Sequence, residues 1–186
     1  LFYSGHGKRS WELLSHYDLV VILFPDLHNC LAVKTNYSTI IKNFLEQAFE
    51  HSDQRFAENK TLSPAFLFAT LYWFPWQKMR KSIRSRRRQV LRQKMYFLLK
   101  SSTKNVGLFN RLCDDIVSIW ELQGLFHKCK ASSVARVVEH VKFRAAYDFF
   151  VLRASAGNAP KDIAGWWTTF QAADKDEQQL MLSKLD

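Results

Sequence analysis

The stretch SPAFLFATLYWFPWQKMRKSIRSRRRQVLRQK (Ser63 to Lys94) sets twelve apolar or small residues, Ala65 to Trp76, directly against a dense run of Lys and Arg. Such a join reads either as a membrane anchor with its flank or as a core helix followed by a nucleic-acid-binding helix. Ser63-Pro64 predicts a helix start, an N-cap followed by Pro in the first helical position, and the apolar stretch ends at Pro75. A helix of that length rises only about 18 Å, whereas a bilayer core of about 30 Å takes roughly 20 residues. The spanning reading fails on length, and the aromatics clustered from Tyr72 to Trp76 suit a packed helix end.

Charge is distributed unevenly around this join. The net charge is +10, yet the 55 residues between Glu58 and Asp114 contain no acid and hold 13 of the 27 Lys and Arg. The remainder carries 14 bases against 17 acids, a net of −3, so all the excess positive charge belongs to one segment. A single-sign field of this kind attracts polyanions, either nucleic acid or an anionic lipid surface.

Read as one basic helix over 77–99, the segment places its bases in a stripe. At about 100° per residue, Lys81, Arg84, Arg88 and Arg92 fall within an arc of about 80°, opposite Met79, Ile83, Val90 and Phe97. Arg86, Arg87 and Lys94 intrude on the apolar face or its edge, which makes a poor lipid face, because an interfacial anchor wants that face rich and unbroken. Three readings stand: a nucleic-acid stripe, a solvated charged face, and a membrane-surface helix. The complete lack of acids favours the first.

Elsewhere the hydrophobic period is helical. Gly7 to Phe24 shows it up to Pro25, Tyr37 to Phe56 repeats it, and Asn105 to His127 and Glu139 to Ala154 each carry one apolar side. After the turn cluster Ser155 to Pro160, two short terminal helices follow. Gly and Pro number only 6 and 4, and no run alternates cleanly between polar and apolar. The expected fold is all-α, an irregular array of roughly eight helices.

No catalytic constellation is visible. Asp114 and Asp115 are adjacent on a helix and point about 100° apart. Asp174 and Asp176 have a DxD spacing but lie in a polar break, where a turn and N-cap role is expected. The pairs His28/Cys30 and His127/Cys129 lack the spacing of a structural zinc site. Cys30, Cys113 and Cys129 are an odd set suited to a reducing compartment, and they read as ordinary thiols.

Several segments resemble, in order, one family. VKFRAAYDFFVLRA (Val141 to Ala154) followed by GWWTTFQ (Gly165 to Gln171) resembles the C-terminal region of the bacterial poly(A) polymerase I family, which are class II nucleotidyltransferases of the CCA-adding superfamily. SGHGKRSWELLSHYDLVVILFP (Ser4 to Pro25) resembles their helical neck, and LSPAFLFATLYWFPW (Leu62 to Trp76) the start of their body. LFNRLCDDIVSIWELQ (Leu108 to Gln123) falls where the family has a helix with a similar core. The resemblance implies three regions: a remainder of the RNA-binding neck over 1–60, a helical body over 61–156, and a C-terminal arm over 157–186. It also implies a cytoplasmic enzyme that adds AMP to RNA 3′ ends.

The chain opens at Leu1 with neither Met nor signal peptide, which predicts a piece of a longer protein that begins after the catalytic head. The ATP- and Mg²⁺-binding residues would belong to that head, so no catalytic residue, metal ligand or cofactor is expected within this chain. Its expected partners are single-stranded RNA 3′ ends and the head itself, with no membrane. The candidate RNA contacts are Lys81, Arg84, Arg88, Arg92, Arg87 and Lys94, with Lys142, Arg144 and Arg153 facing either RNA or solvent. Phe143, Tyr147 and Phe150 are expected in the core. The family commonly ends in a long arginine-rich tail, which is not seen before Asp186. The alternatives are the body of a tRNA CCA-adding enzyme, and a basic module that docks on a protein or a membrane surface.

Overall fold

The computed structural model describes residues 2, 4–33, 35–102, 108–128 and 130–185. Among the described residues there are eleven α-helices and no strand, so the all-α expectation holds with a few more, shorter helices. The helices are α1 (Gly7–His16), α2 (Leu19–Leu23), α3 (Pro25–Leu31), α4 (Asn36–Ala57), α5 (Pro64–Ser82), α6 (Arg88–Ser102), α7 (Asn110–Phe126), α8 (Ala131–Val138), α9 (Phe143–Ser155), α10 (Lys161–Ala172) and α11 (Lys175–Ser183). The chain divides into two compact units, Leu1–Val117 and Ser118–Asp186. In the second unit α9 and α10 pack against one another.

In the first unit α5 is central, packing against α3, α4 and α6. Ser63 caps it by accepting from Phe66 N, with Pro64 at the first helical position, as the sequence predicts. Pro75 does not end it. Proline within a helix costs about 3 kcal/mol, but residues on every side of it, including Tyr72, Trp73, Phe74 and Trp76, are buried. Each such side chain contributes about 1.5–3 kcal/mol on burial, so two aromatics already offset the proline.

The expected single helix over Gly7–Phe24 is instead broken at Asp18, which adopts the left-handed conformation (φ 53°) that Asp tolerates better than most residues. The turn lets Val20 and Phe24 reach the core. Pro25 does not merely stop a helix; it begins α3, where its missing N–H is not needed. The start of α1 is held by α4: Asp53 accepts from Gly7 N at 2.6 Å and Lys8 N at 3.0 Å. Glycine at position 7 leaves room for that approach, since a Cβ there would lie 3.1 Å from Asp53 Oδ1 and push the carboxylate by a few tenths of an ångström.

The second unit is built around aromatic rings. Phe126 stacks on Phe150 at 5.0 Å and meets Trp167 edge-on at 4.8 Å, while Trp167 Nε1 donates to the Phe126 carbonyl at 3.1 Å. Tyr147 and Phe150 are buried and Phe143 packs against the same cluster, as expected. Asp174 forms a capping box with Glu177 at the start of α11, the N-cap role read from its sequence context.

Arg153 corrects an expectation. It is only 5% exposed, so it is neither a surface cation nor a ready RNA contact. Gly157 (φ 81°) turns the chain after α9 and brings Asn158 back over it. Arg153 Nε donates to Asn158 Oδ1, Nη2 to the Asn158 carbonyl and Nη1 to Gln123 Oε1, each at 3.0 Å. Burial pushes the guanidinium down to about 10, which leaves it charged at neutral pH. These bonds satisfy what would otherwise be a costly buried cation.

Two outcomes follow for denaturant unfolding. Arg153→Ala strands three acceptors and is expected to cost about 2–4 kcal/mol; an unchanged midpoint would show that Arg153 is not structural. Gly165 lies within α10, and a Cβ there would meet nothing within 4 Å. Gly165→Ala should therefore stabilise by about 0.5–1 kcal/mol, and a loss of stability would contradict the open space seen around it.

Candidate nucleic-acid interface

The basic segment does not form one helix over 77–99. Seven of the eleven residues from Lys78 to Arg88 are Lys or Arg. In an unbroken helix Arg84 would face Arg80, Lys81, Arg87 and Arg88 at i±3 and i±4. Four like-charge pairs at about 0.2–0.5 kcal/mol each would cost about 1–2 kcal/mol. The chain avoids them: α5 ends at Ser82, residues 83–87 are non-helical, and α6 starts at Arg88.

Local bonds fix the break. Arg80 Nη1 donates to the Ile83 carbonyl at 2.9 Å, Ser82 Oγ to the Met79 carbonyl at 2.8 Å, and Ser85 Oγ accepts from Arg87 N at 3.2 Å. Such side-chain-to-backbone bonds compete with helix propagation. Beyond the break, the buried Met95, Leu98 and Leu99 pin α6 to the first unit. Tyr72 Oη adds a bond to the Ser102 carbonyl at 3.2 Å.

The stripe of Lys81, Arg84, Arg88 and Arg92 is thus distributed over three pieces of chain. Lys81 lies in the last turn of α5, Arg84 in the linker, and Arg88 and Arg92 on α6. Lys81, Arg84, Arg86, Arg87, Arg88 and Lys94 are exposed. Among the described residues, no carboxylate pairs with Lys81, Arg84, Arg86, Arg87 or Lys94.

Bases elsewhere contrast with these. Lys8 pairs with Glu50, Arg9 with Glu12 at 3.3 Å, and Arg144 with Asp148 at 3.1 Å. Arg144 is therefore an exposed base already neutralised on its own helix, and Lys142, which precedes α9, is half-buried.

Arg92 is turned inward to a partner. Its Nη2 lies 3.6 Å from Asp114 Oδ1 and donates to Tyr96 Oη at 3.1 Å, and Tyr96 in turn donates to Asp114. Burial, then the bond to Asp114, pushes the Tyr96 phenol above its ordinary value, so it keeps its proton. Asp114 thereby neutralises one end of the basic surface.

The sequence does not signal Tyr37 as a neighbour of these bases. Tyr37, from α4, lies under Lys81 with the ammonium 5.5 Å from the ring centroid, and its hydroxyl donates to Gln77 Oε1 at 3.1 Å. Lys94 sits 5.8 Å from the centroid of Phe97. No spacing rule links position 37 to position 81; only the packing of α4 on α5 does so. An exposed, non-helical cationic linker flanked by helix ends can bind phosphates through charge, with little sequence readout.

Among the described residues, the carboxylates do not fit a catalytic Mg²⁺ site. Asp174 Oδ1 accepts the amides of Asp176 and Glu177, and Asp114 faces Arg92 and Tyr96. Among the described residues no cluster of three or more His, Cys, Asp or Glu could hold a metal ion. Cys30 and Cys113 are buried, and burial raises both thiols above their ordinary value, which suits inert core residues. Cys129 lies outside the described residues. Among the described residues no helix is long and apolar enough to cross a membrane.

Comparison with known proteins agrees with the family read from the segments. The chain is 29% identical to poly(A) polymerase I of Salmonella typhimurium over 192 residues and equally similar to that of Escherichia coli O157:H7. It is 27% identical to poly(A) polymerase I of Haemophilus influenzae. These alignments cover 99–100% of this chain and 41% of the relatives, so the chain spans about two fifths of their length. The family model described as the polymerase A arginine-rich C-terminus matches residues 85–186. By that match, more than half of its length, the chain belongs to the polymerase A arginine-rich C-terminus family.

Proposed function

We propose that this chain is the RNA-gripping helical region of a polynucleotide adenylyltransferase, holding the 3′ portion of an RNA while AMP is added to its end. RNA is then its partner and the cytoplasm its compartment. The observation that carries the reading is the exposed set Lys81, Arg84, Arg86, Arg87 and Lys94, with no carboxylate partner among the described residues. The similarity to poly(A) polymerases I supports the choice of RNA as the polyanion.

Each neutralised phosphate releases condensed counterions, giving affinity that depends on salt more than on sequence. ATP and Mg²⁺ would be served by residues outside this chain, because the carboxylates described above are engaged in caps and ion pairs. No transfer step is assigned to the residues described here. The bases steady the strand, and the non-helical linker spares its cations the fixed geometry of a straight helix.

Binding of an A-rich single-stranded RNA across a salt series tests this. Changing Lys81, Arg84, Arg87 and Lys94 together to Glu should reduce the slope of log K against log salt by roughly 2–3 units and weaken binding accordingly. Identical slopes in the two proteins would remove the linker from RNA binding, and saturable binding to one acidic protein instead would favour a docking module. Asp114→Asn should have the opposite effect. It removes the Asp114 charge from Arg92, and binding should tighten about two- to fivefold, the scale of an exposed ion pair; unchanged affinity would mean that Arg92 never meets the strand.

A further inference from the structure

Two large apolar side chains on α6 and at the start of α7 are left in solvent. Phe97 is 62% exposed on α6 and Phe109 is 82% exposed at the start of α7. Neither is a loose end. The opposite face of α6 is buried through Met95, Leu98 and Leu99, which fixes the direction of Phe97. The Phe109 carbonyl accepts from Leu112 N at 3.0 Å and Cys113 N at 3.2 Å, which fixes its backbone as a helix start.

Lys100 links the two. It lies one turn beyond Phe97 on α6, and residues three apart on a helix are side-chain neighbours. Its ammonium donates to the Leu108 carbonyl at 3.2 Å and to Asn110 Oδ1 at 2.7 Å, the residues on either side of Phe109. On the other side of Phe97, Lys94 holds its charge 5.8 Å from the ring.

Each exposed ring is accompanied by a lysine, within a stretch of chain that has no acid from Asn59 to Cys113. A protein-docking surface is normally depleted of charge at its core. Isolated rings set among cations instead suit ligands that are flat, aromatic and anionic. Unpaired nucleotides are of that kind, because every base offers a π-face whatever its identity and every step carries a phosphate.

We infer that Phe97 and Phe109 are base-stacking positions for single-stranded RNA, each taking one unpaired base while Lys94 and Lys100 face the intervening phosphates. This rests on the RNA reading proposed above and adds to it the two residues that meet the bases, which a duplex keeps covered by their neighbours. Adenine, with its large ring system, fits such a position well, but the contact does not read sequence.

The test measures binding of the 186-residue chain to a 15-mer of oligo(A) RNA, to a 15-mer of the same charge with abasic sites at alternate positions, and to a 15-base-pair RNA duplex. Three variants are compared with the parent: Phe97→Ala with Phe109→Ala, Phe97→Trp with Phe109→Trp, and the four-site Glu variant of the linker. Because both rings are exposed, helicity by circular dichroism should be unchanged in the Phe variants.

The expected result is a loss of about tenfold or more per ring for oligo(A) in the Ala variant, and near-parent affinity in the Trp variant. The salt slope of the Ala variant should stay unchanged, since no charge is removed, and its loss on the abasic strand and the duplex should be much smaller. If the Ala variant binds oligo(A) as tightly as the parent while the linker variant loses slope, the stacking positions are wrong and the RNA reading stands. If the loss is equal on all three ligands, the rings do not meet bases, which also overturns the inference. If the parent shows no salt-dependent binding to any of the three, both readings fall together.

Discussion

Burial of the Ala65–Trp76 stretch on nearly every face is the interaction on which the first compact unit depends. α3, α4 and α6 all pack against α5, and the rings that fill those contacts, among them Phe24, Phe44 and Phe74, meet edge-on around it. Sequestering this stretch also explains why a proline survives inside the helix. Because α5 is held from its N-cap to Trp76 by packing, its last turn is free to extend outward as a basic projection. The same helix thus supplies both the centre of a core and the first part of a charged surface.

Charge then works against regularity. A helix gains one backbone hydrogen bond per added residue, but where four cations crowd Arg84 that gain is opposed by repulsion of similar size. Serine and arginine side chains near the break supply substitute bonds for the last carbonyls of α5. The result is a linker whose shape is set by the same residues that give it its charge. Asp114 of α7, with Tyr96, draws Arg92 of α6 into an ion pair, so one cation of the surface is already matched.

The sequence makes the helical class legible, because α4 and α9 fall within runs of 3.6-residue period and α10 and α11 follow a turn cluster. It also makes the place of the candidate interface legible, because the absence of acids from Asn59 to Cys113 needs no structure to be seen. Its arrangement is another matter. Periodicity ran straight through Asp18 and through Ile83–Arg87, where single-residue backbone preference and charge repulsion override it, and it stopped at Pro75, where tertiary burial overrides proline. α3 and α8 are too short for a period to establish itself. Arg153 looks like any surface arginine until Gln123, thirty residues away, and Asn158 are seen to surround it. Pairings at that range leave no local signature.

The linker over residues 83–87 has a consequence beyond binding. A protease that cleaves after basic residues must draw several residues of its substrate into an extended conformation, and helices resist this. Here the chain already presents an exposed, non-helical run with Arg84, Arg86 and Arg87 in succession. The exposure that suits this run to the proposed polyanion therefore also opens it to trypsin-like cleavage, and a strand bound there as proposed would cover the same peptide bonds.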